Sequence, residues 1–121
     1  MVRAVVIEGN ASFRQALKYI LHSRFPSVAW AEAANEKDAI DLIETFPPDL
    51  ILIDIKLPGD NALELTQKIK TRYPKVVALI LSSYDLPEYR EKACLHGADY
   101  FITKDSPVEG YFTLIESILS T

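Results

Sequence analysis

A parallel α/β sheet flanked by helices is the fold class this sequence predicts, on three observations. Apolar runs of strand length alternate five times with amphipathic stretches of helix length. The run Leu50 to Ile53 is wholly aliphatic, as a strand buried on both faces must be. Polar residues close four of the runs, namely Glu8, Asp54, Ser82 and Lys104, and parallel strands carry their carboxyl ends to one edge of the sheet.

Taken in order, Ala4 to Ile7 is the first strand. Phe13, Ala16, Leu17, Ile20 and Leu21 then recur at helical spacing to about His22, and Pro26 forbids continuation. Val28 to Ala33 mixes small, aromatic and acidic residues, the composition of an edge strand. Asn35, with Asp38 three residues on, suits the amino-terminal cap of a helix reaching about Thr45, which Pro47-Pro48 ends. Leu50 to Ile53 is the central strand. The turn Leu57-Pro58-Gly59-Asp60 leads into a helix around Leu65 and Ile69, closed by Pro74.

Val76 to Leu81 is the fourth strand, and Asp85 is expected to cap a helix with Pro87 in its first turn. Gly97 falls where a helix ends in left-handed backbone. Ala98 to Ile102 is the fifth strand. Asp105 or Ser106 should cap a last helix opened by Pro107, with Val108, Tyr111, Phe112, Ile115 and Ile118 on its inner face.

The 121 residues fit one domain, 1–121, and 49% hydrophobic content suffices for a core without staples. A net charge of -4, with its lysines and arginines scattered among acids, argues against a nucleic-acid surface and for a protein partner. The single cysteine, Cys94, excludes an internal disulfide and is expected as a small packed thiol. No apolar run approaches membrane-spanning length, and the acid at position 8 interrupts the amino terminus too early for a signal peptide, so the expected setting is the cytoplasm, with no membrane contact. His22 and His96 fall near helix carboxyl ends without a neighbouring ligand set and are assigned no chemistry.

Clustered at one edge, these groups suit phosphoryl chemistry. A carboxylate accepts a phosphoryl group when it is held in line and the transferring oxygens are neutralised, typically by magnesium and a lysine. Asp54 has the place for the acceptor and Lys104 for its counter-ion, while Ser82 offers a hydroxyl to a phosphoryl oxygen. Alone, each would read as a cap, a solvated lysine or a turn serine; it is their common register that points to a site.

The segments Leu52-Ile53-Asp54-Ile55-Lys56-Leu57-Pro58-Gly59, Leu81-Ser82-Ser83-Tyr84-Asp85 and His96-Gly97-Ala98-Asp99-Tyr100-Phe101-Ile102-Thr103-Lys104-Asp105 together resemble the receiver domain of two-component response regulators. The likeness is strongest to the subgroup that precedes helix-turn-helix output domains. The resemblance spans nearly the whole chain. It implies a flavodoxin-like, doubly wound sheet of order 2-1-3-4-5 with five helices, a strand order that belongs to the family and is not read from periodicity. It further implies that Asp54 takes phosphate from a histidine kinase or phosphotransfer protein, and that Lys104 binds the phosphate. Ser82 and Phe101 would be the switch pair. Glu8, Asp54 and the backbone carbonyl of Lys56 would be magnesium ligands. Ser82 and Phe101 flank the face built from the fourth helix, fifth strand and fifth helix, which is the expected protein-binding surface, open to a homodimer, with Tyr89, Tyr100 and Tyr111 as candidate anchors.

One departure stands out. The family carries two adjacent acids after the first strand, and this chain has Glu8-Gly9. The loss of one carboxylate should weaken magnesium binding, and Gly9→Asp should strengthen it, unless a positive φ at Gly9 penalises the new side chain. Two functions follow: a signalling receiver phosphorylated on Asp54, or a degenerate receiver that acts as an interaction module without phosphorylation. An aspartyl-phosphate phosphohydrolase is disfavoured because Asp54-Ile55-Lys56 lacks a second acid two residues on. Flavin or dinucleotide binding is disfavoured because the loop Glu8 to Ser12 has one glycine and opens with an acid. No enzyme activity is expected.

Overall fold

The chain, described by a computed structural model over residues 1–59 and 61–120, alternates strand and helix throughout: β1 (Arg3–Ile7), α1 (Ala11–Arg24), β2 (Ala29–Ala33), α2 (Glu36–Thr45), β3 (Leu50–Asp54), α3 (Ala62–Arg72), β4 (Val77–Ser82), α4 (Pro87–Leu95), β5 (Tyr100–Thr103) and α5 (Val108–Leu119). Asp60, in the turn expected before α3, lies outside the described residues. The strands form one sheet of order β2-β1-β3-β4-β5, and every pairing is parallel. β2 is an edge, as its mixed composition predicts, and all five residues of β3 are buried at the centre.

Alternation along the strands sorts the core into two layers. Val5, Ile7, Ile51, Ile53, Ala78 and Ile80 pack against Ala39 and Ile43 of α2, Leu65 and Ile69 of α3, and Ala93 of α4. Ala4, Val6, Leu50, Leu52, Leu79, Leu81 and Ile102 pack against Leu17 and Leu21 of α1 and Tyr111, Ile115 and Ile118 of α5. Helices therefore cover both faces, the doubly wound, flavodoxin-like arrangement.

The caps are only partly as expected. Asn35 accepts a hydrogen bond from the Asp38 N–H at 2.9 Å and starts α2. Asp85 does not cap α4: its carboxylate lies 2.6 Å from Arg90 Nε, and Leu86 is the capping residue without a side-chain bond. Arginine one turn into the helix competes with the orphan N–H groups for the same oxygen. Neither Asp105 nor Ser106 caps α5, which begins after Pro107; the Ser106 hydroxyl is instead 2.8 Å from Thr103 Oγ1. Gly97, at φ +96°, ends α4 as expected.

Four local expectations are corrected. α1 runs past His22 to Arg24, and Ala16 on its expected inner face is exposed. Val108, at 41% exposure, is not buried with the rest of the α5 face, because it is the first residue of the helix and borders an open cavity against α1. Cys94 is exposed rather than packed. α4 buries Ala93 alone, and a rotation of about 100° per residue turns the next side chain to solvent.

Candidate functional site

The carboxyl ends of β1, β3 and β5 bring three of the expected groups together. Glu8 follows Ala4 and Val6 on the face towards α1 and α5, and Asp54 follows Leu50 and Leu52 on the same face. Ladder bonds extend beyond the strand ends, from Glu8 N–H to the Ala33 carbonyl at 3.0 Å and from Lys104 N–H to the Ser82 carbonyl at 2.7 Å. Lys104 follows Ile102 on that face. Its ammonium lies 2.9 Å from Glu8 Oε2 and 3.4 Å from Asp54 Oδ2. The lysine therefore sits nearer the glutamate than the aspartate.

Neither carboxylate is open to bulk water: Glu8 is 1% exposed and Asp54 5%. Glu8 Oε1 accepts the Asn10 N–H at 3.0 Å, and Asp54 Oδ1 accepts the Lys56 N–H at 3.1 Å. Burial pushes the Glu8 carboxyl above its usual range, against the opposing pull of Lys104 and the Asn10 N–H, and the charge of Asp54 adds to the rise. Lys104 is held from both sides. Its ammonium lies 4.4 Å from the centre of the Phe13 ring, and its carbonyl accepts the Tyr111 hydroxyl at 2.9 Å. Burial pushes that phenol up to about 12.

Ser82 and Phe101 stand apart from this cluster. Ser82 continues the row Ala78, Ile80, and Phe101 pairs in register with Ile80 and packs on the layer under α2 to α4. The fully buried Ser82 hydroxyl donates to the Tyr84 carbonyl at 2.8 Å and accepts the Tyr84 N–H at 3.1 Å, closing its own loop. The guanidinium of Arg90 covers the Phe101 ring at 4.6 Å. One residue of strand register separates these two residues from the acids. Of the candidate anchors, Tyr111 is core at 5% exposure, Tyr100 is exposed, and Tyr89 lies 6.2 Å from the ring of Tyr84.

Magnesium is the cation the pocket has to be tested for. Glu8 Oε2 is buried, and its near partner is the Lys104 ammonium at 2.9 Å. Two buried carboxylates side by side, Glu8 and Asp54, are oxygen donors that a hard divalent ion can use. Among the described residues no group of three or more His, Cys, Asp or Glu side chains is placed to hold a metal. Gly9 has no positive φ; among the described glycines only Gly59 and Gly97 do. What opposes a side chain there is space, since a Cβ on Gly9 would stand 2.9 Å from Cδ of Pro58.

Two residues escaped the sequence reading. Asn10 caps α1 by accepting the Phe13 N–H at 3.0 Å while its own N–H holds Glu8. Arg14 donates to the Glu8 carbonyl at 2.8 Å and to Glu32 Oε1 at 3.0 Å. Asn10 carried a legible signal, a capping residue three positions before the periodic Phe13; Arg14 carried none, because its partners come from other strands.

A doubly wound parallel sheet with two buried carboxylates and a lysine at its carboxyl edge is the frame of an α/β domain with a charged edge pocket, and comparison with known proteins narrows the class. The family model for the response regulator receiver domain matches residues 4–116, and the chain belongs to that family. It is 31% identical over 117 residues to the transcriptional regulatory protein DegU of Brevibacillus brevis, covering 97% of this chain and 48% of that protein. It is 26% identical to the transcriptional regulatory protein DesR of Bacillus subtilis, covering 99% of this chain and 59% of that one. The chain thus spans about half the length of the curated relatives it matches. Among solved structures, a LuxR-family two-component response regulator from Aurantimonas superposes with a TM-score of 0.90 at 27% identity, covering 99% of this chain and 86% of that one. The receiver domain of a DNA-binding response regulator from Colwellia psychrerythraea reaches 0.94 over the whole of both chains, at 20% identity, a likeness of fold.

Proposed function

We propose that this receiver domain accepts a phosphoryl group on Asp54 from the phosphohistidine of a histidine kinase or phosphotransfer protein, and that the modified pocket alters a protein-binding surface. The observation that supports it most is the triad of Glu8, Asp54 and Lys104 on one face of the carboxyl edge. A carboxylate oxygen of Asp54 attacks phosphorus; the new O–P bond forms as the N–P bond to the donor histidine breaks, and the leaving imidazole keeps the electron pair. Lys104 meets the charge on the phosphoryl oxygens, its ammonium already held over the Phe13 ring and its carbonyl tethered by Tyr111. Magnesium, held by Glu8, Asp54 and the Lys56 carbonyl, would supply further neutralising charge.

The readout runs through Ser82. Its hydroxyl exchanges the Tyr84 carbonyl for a phosphoryl oxygen, which frees the loop ahead of α4 and the space beside Phe101. The surface then altered is the one formed by α4, β5 and α5, which would pair with a second copy or another protein rather than with nucleic acid. The transcriptional regulators among the relatives support a role for this domain ahead of a transcriptional output, in the cytoplasm. No described helix is long and apolar enough to cross a membrane.

The test is incubation with acetyl phosphate and magnesium followed by intact mass. Wild type gains one phosphoryl group and Asp54→Asn gains none. Equal labelling of both proteins would remove Asp54 from the role, and no labelling of wild type would leave the phosphorylation-independent module as the function.

A further inference from the structure

We infer that Arg14 is a positioning residue for the acid of the pocket: through the main chain of Glu8 and a brace on Glu32, it holds the loop that presents the Glu8 carboxylate. The inference rests on the reading of Asp54 as a phosphoacceptor assisted by magnesium.

The loop from Glu8 to Asn10 carries the single acid that this chain brings from β1, and it contains Gly9, which has no side chain to lock it. Three bonds restrain Glu8: its N–H to the Ala33 carbonyl, its Oε1 to the Asn10 N–H, and its carbonyl to Arg14 Nη1 at 2.8 Å. The first two come from β2 and from the loop itself. The third comes from the body of α1, one turn past the Asn10 cap, and it is the one that reaches the Glu8 main chain from a helix side chain. Arg14 is itself constrained, with only 13% of its side chain exposed. Its Nε lies 3.0 Å from Glu32 Oε1, and the other oxygen of Glu32 lies 3.2 Å from Lys18 Nζ. Arg14 and Lys18 stand one turn apart on α1, so they grip the same carboxylate from one helix stripe.

Glu32 in turn is fixed by register, opposite Val6 on β1. Its hydrogen bond from Arg14, then that from Lys18, holds its carboxyl below the usual range, so the brace stays charged at neutral pH. A planar guanidinium that bridges a main-chain carbonyl and a carboxylate sets angles as well as distances. Its loss removes the bond on the Glu8 carbonyl next to Gly9 and leaves the Glu8 carboxylate less tightly presented to Lys104 and the metal position. A residue that orients a ligand without touching the ion typically changes metal affinity by about 10- to 100-fold.

The experiment compares wild type, Arg14→Gln, Arg14→Lys and Lys18→Gln, the last of which loosens Glu32 without touching Glu8. Labelling by acetyl phosphate is followed over a range of magnesium concentrations, and magnesium affinity is measured separately by amide NMR titration. Arg14→Gln should raise the half-saturating magnesium concentration about tenfold while the labelling rate at saturating magnesium stays within about twofold of wild type. Arg14→Lys, which can keep the bond to the carbonyl, should recover part of the loss, and Lys18→Gln should behave as wild type. In chelator, the Asn10 amide, whose hydrogen bond ends on Glu8, should exchange faster in Arg14→Gln than in wild type, while amides of the central strands should be unchanged. An unchanged magnesium dependence, or a loss equal in Lys18→Gln, overturns the inference. If Arg14→Gln does not fold, Glu32→Gln replaces it and should shift the magnesium dependence in the same direction. If wild type binds magnesium but takes no phosphate, the phosphoacceptor reading fails while the titration still decides the role of Arg14. If wild type binds no magnesium, the role assigned to Arg14 falls as well.

Discussion

The two flanks of the sheet are built to different standards. On one side α1 and α5 bury Leu17, Leu21, Tyr111, Ile115 and Ile118, with Phe25 edge-on to Phe112 at 6.1 Å and Arg24 paired to Glu116 at 2.5 Å. On the other, α4 has nine residues and buries only Ala93, while Tyr84, Leu86 and Leu95 beside it are exposed. Glu8, Asp54 and Lys104 lie on the first flank, Ser82 and Phe101 on the second. On the proposed function, the groups that would hold the reacting centre are thus set on packed elements, and those that would move adjoin the helix with least to lose by moving.

Four substitutions break or sharpen that contrast. Leu21→Ala, at a fully buried α1 position, should cost about 2 to 5 kcal/mol in denaturant unfolding. A much smaller loss would mean that the α1 flank is not the stiff one.

Gly9→Asp probes the pocket on that flank. The added Cβ meets Pro58, so the variant should lose about 1 to 3 kcal/mol of stability as that loop yields, while the added carboxylate tightens magnesium. Combining it with Pro58→Ala should recover stability and keep the tighter metal; a calorimetric titration showing no gain in either would disprove the missing-acid account of this site.

Tyr111→Phe tests the tether on Lys104. Loss of the hydroxyl bond should cost about 1 kcal/mol at neutral pH. The buried phenol ionises at about 12, above its ordinary value near 10. Its contribution is therefore complete below pH ~10 and is lost as pH rises through about 12. Wild-type stability should fall across that window more steeply than that of the Phe variant, as melting curves at stepped pH would reveal.

Leu95→Ala is the counterpart of Leu21→Ala on the loose flank. At 74% exposure in α4 it should change stability by less than about 0.5 kcal/mol, and the α4 amides should exchange through local opening well before global unfolding. A cost comparable to that of Leu21→Ala would erase the contrast.

The order of elements, the edge position of β2, the central β3, the cap at Asn35 and the left-handed Gly97 were all legible in the sequence. Each follows from local chemistry: aliphatic run length, side-chain oxygens next to free N–H groups, and the freedom of glycine at positive φ. The convergence of Glu8, Asp54 and Lys104 was legible too, because all three end strands that must be parallel. Resemblance, rather than periodicity, supplied the sheet order. Tertiary structure decided the rest. Whether a strand-end residue turns towards α1 or towards α4 depends on its register against a neighbour more than twenty residues away, which is why Ser82 and Lys104 look alike in sequence and face opposite layers. Asp85 pairs with Arg90 instead of capping, Cys94 turns outward beside Ala93, and Arg14 reaches the Glu8 carbonyl, because each outcome is a competition among partners that only the folded chain brings within a few ångströms of one another.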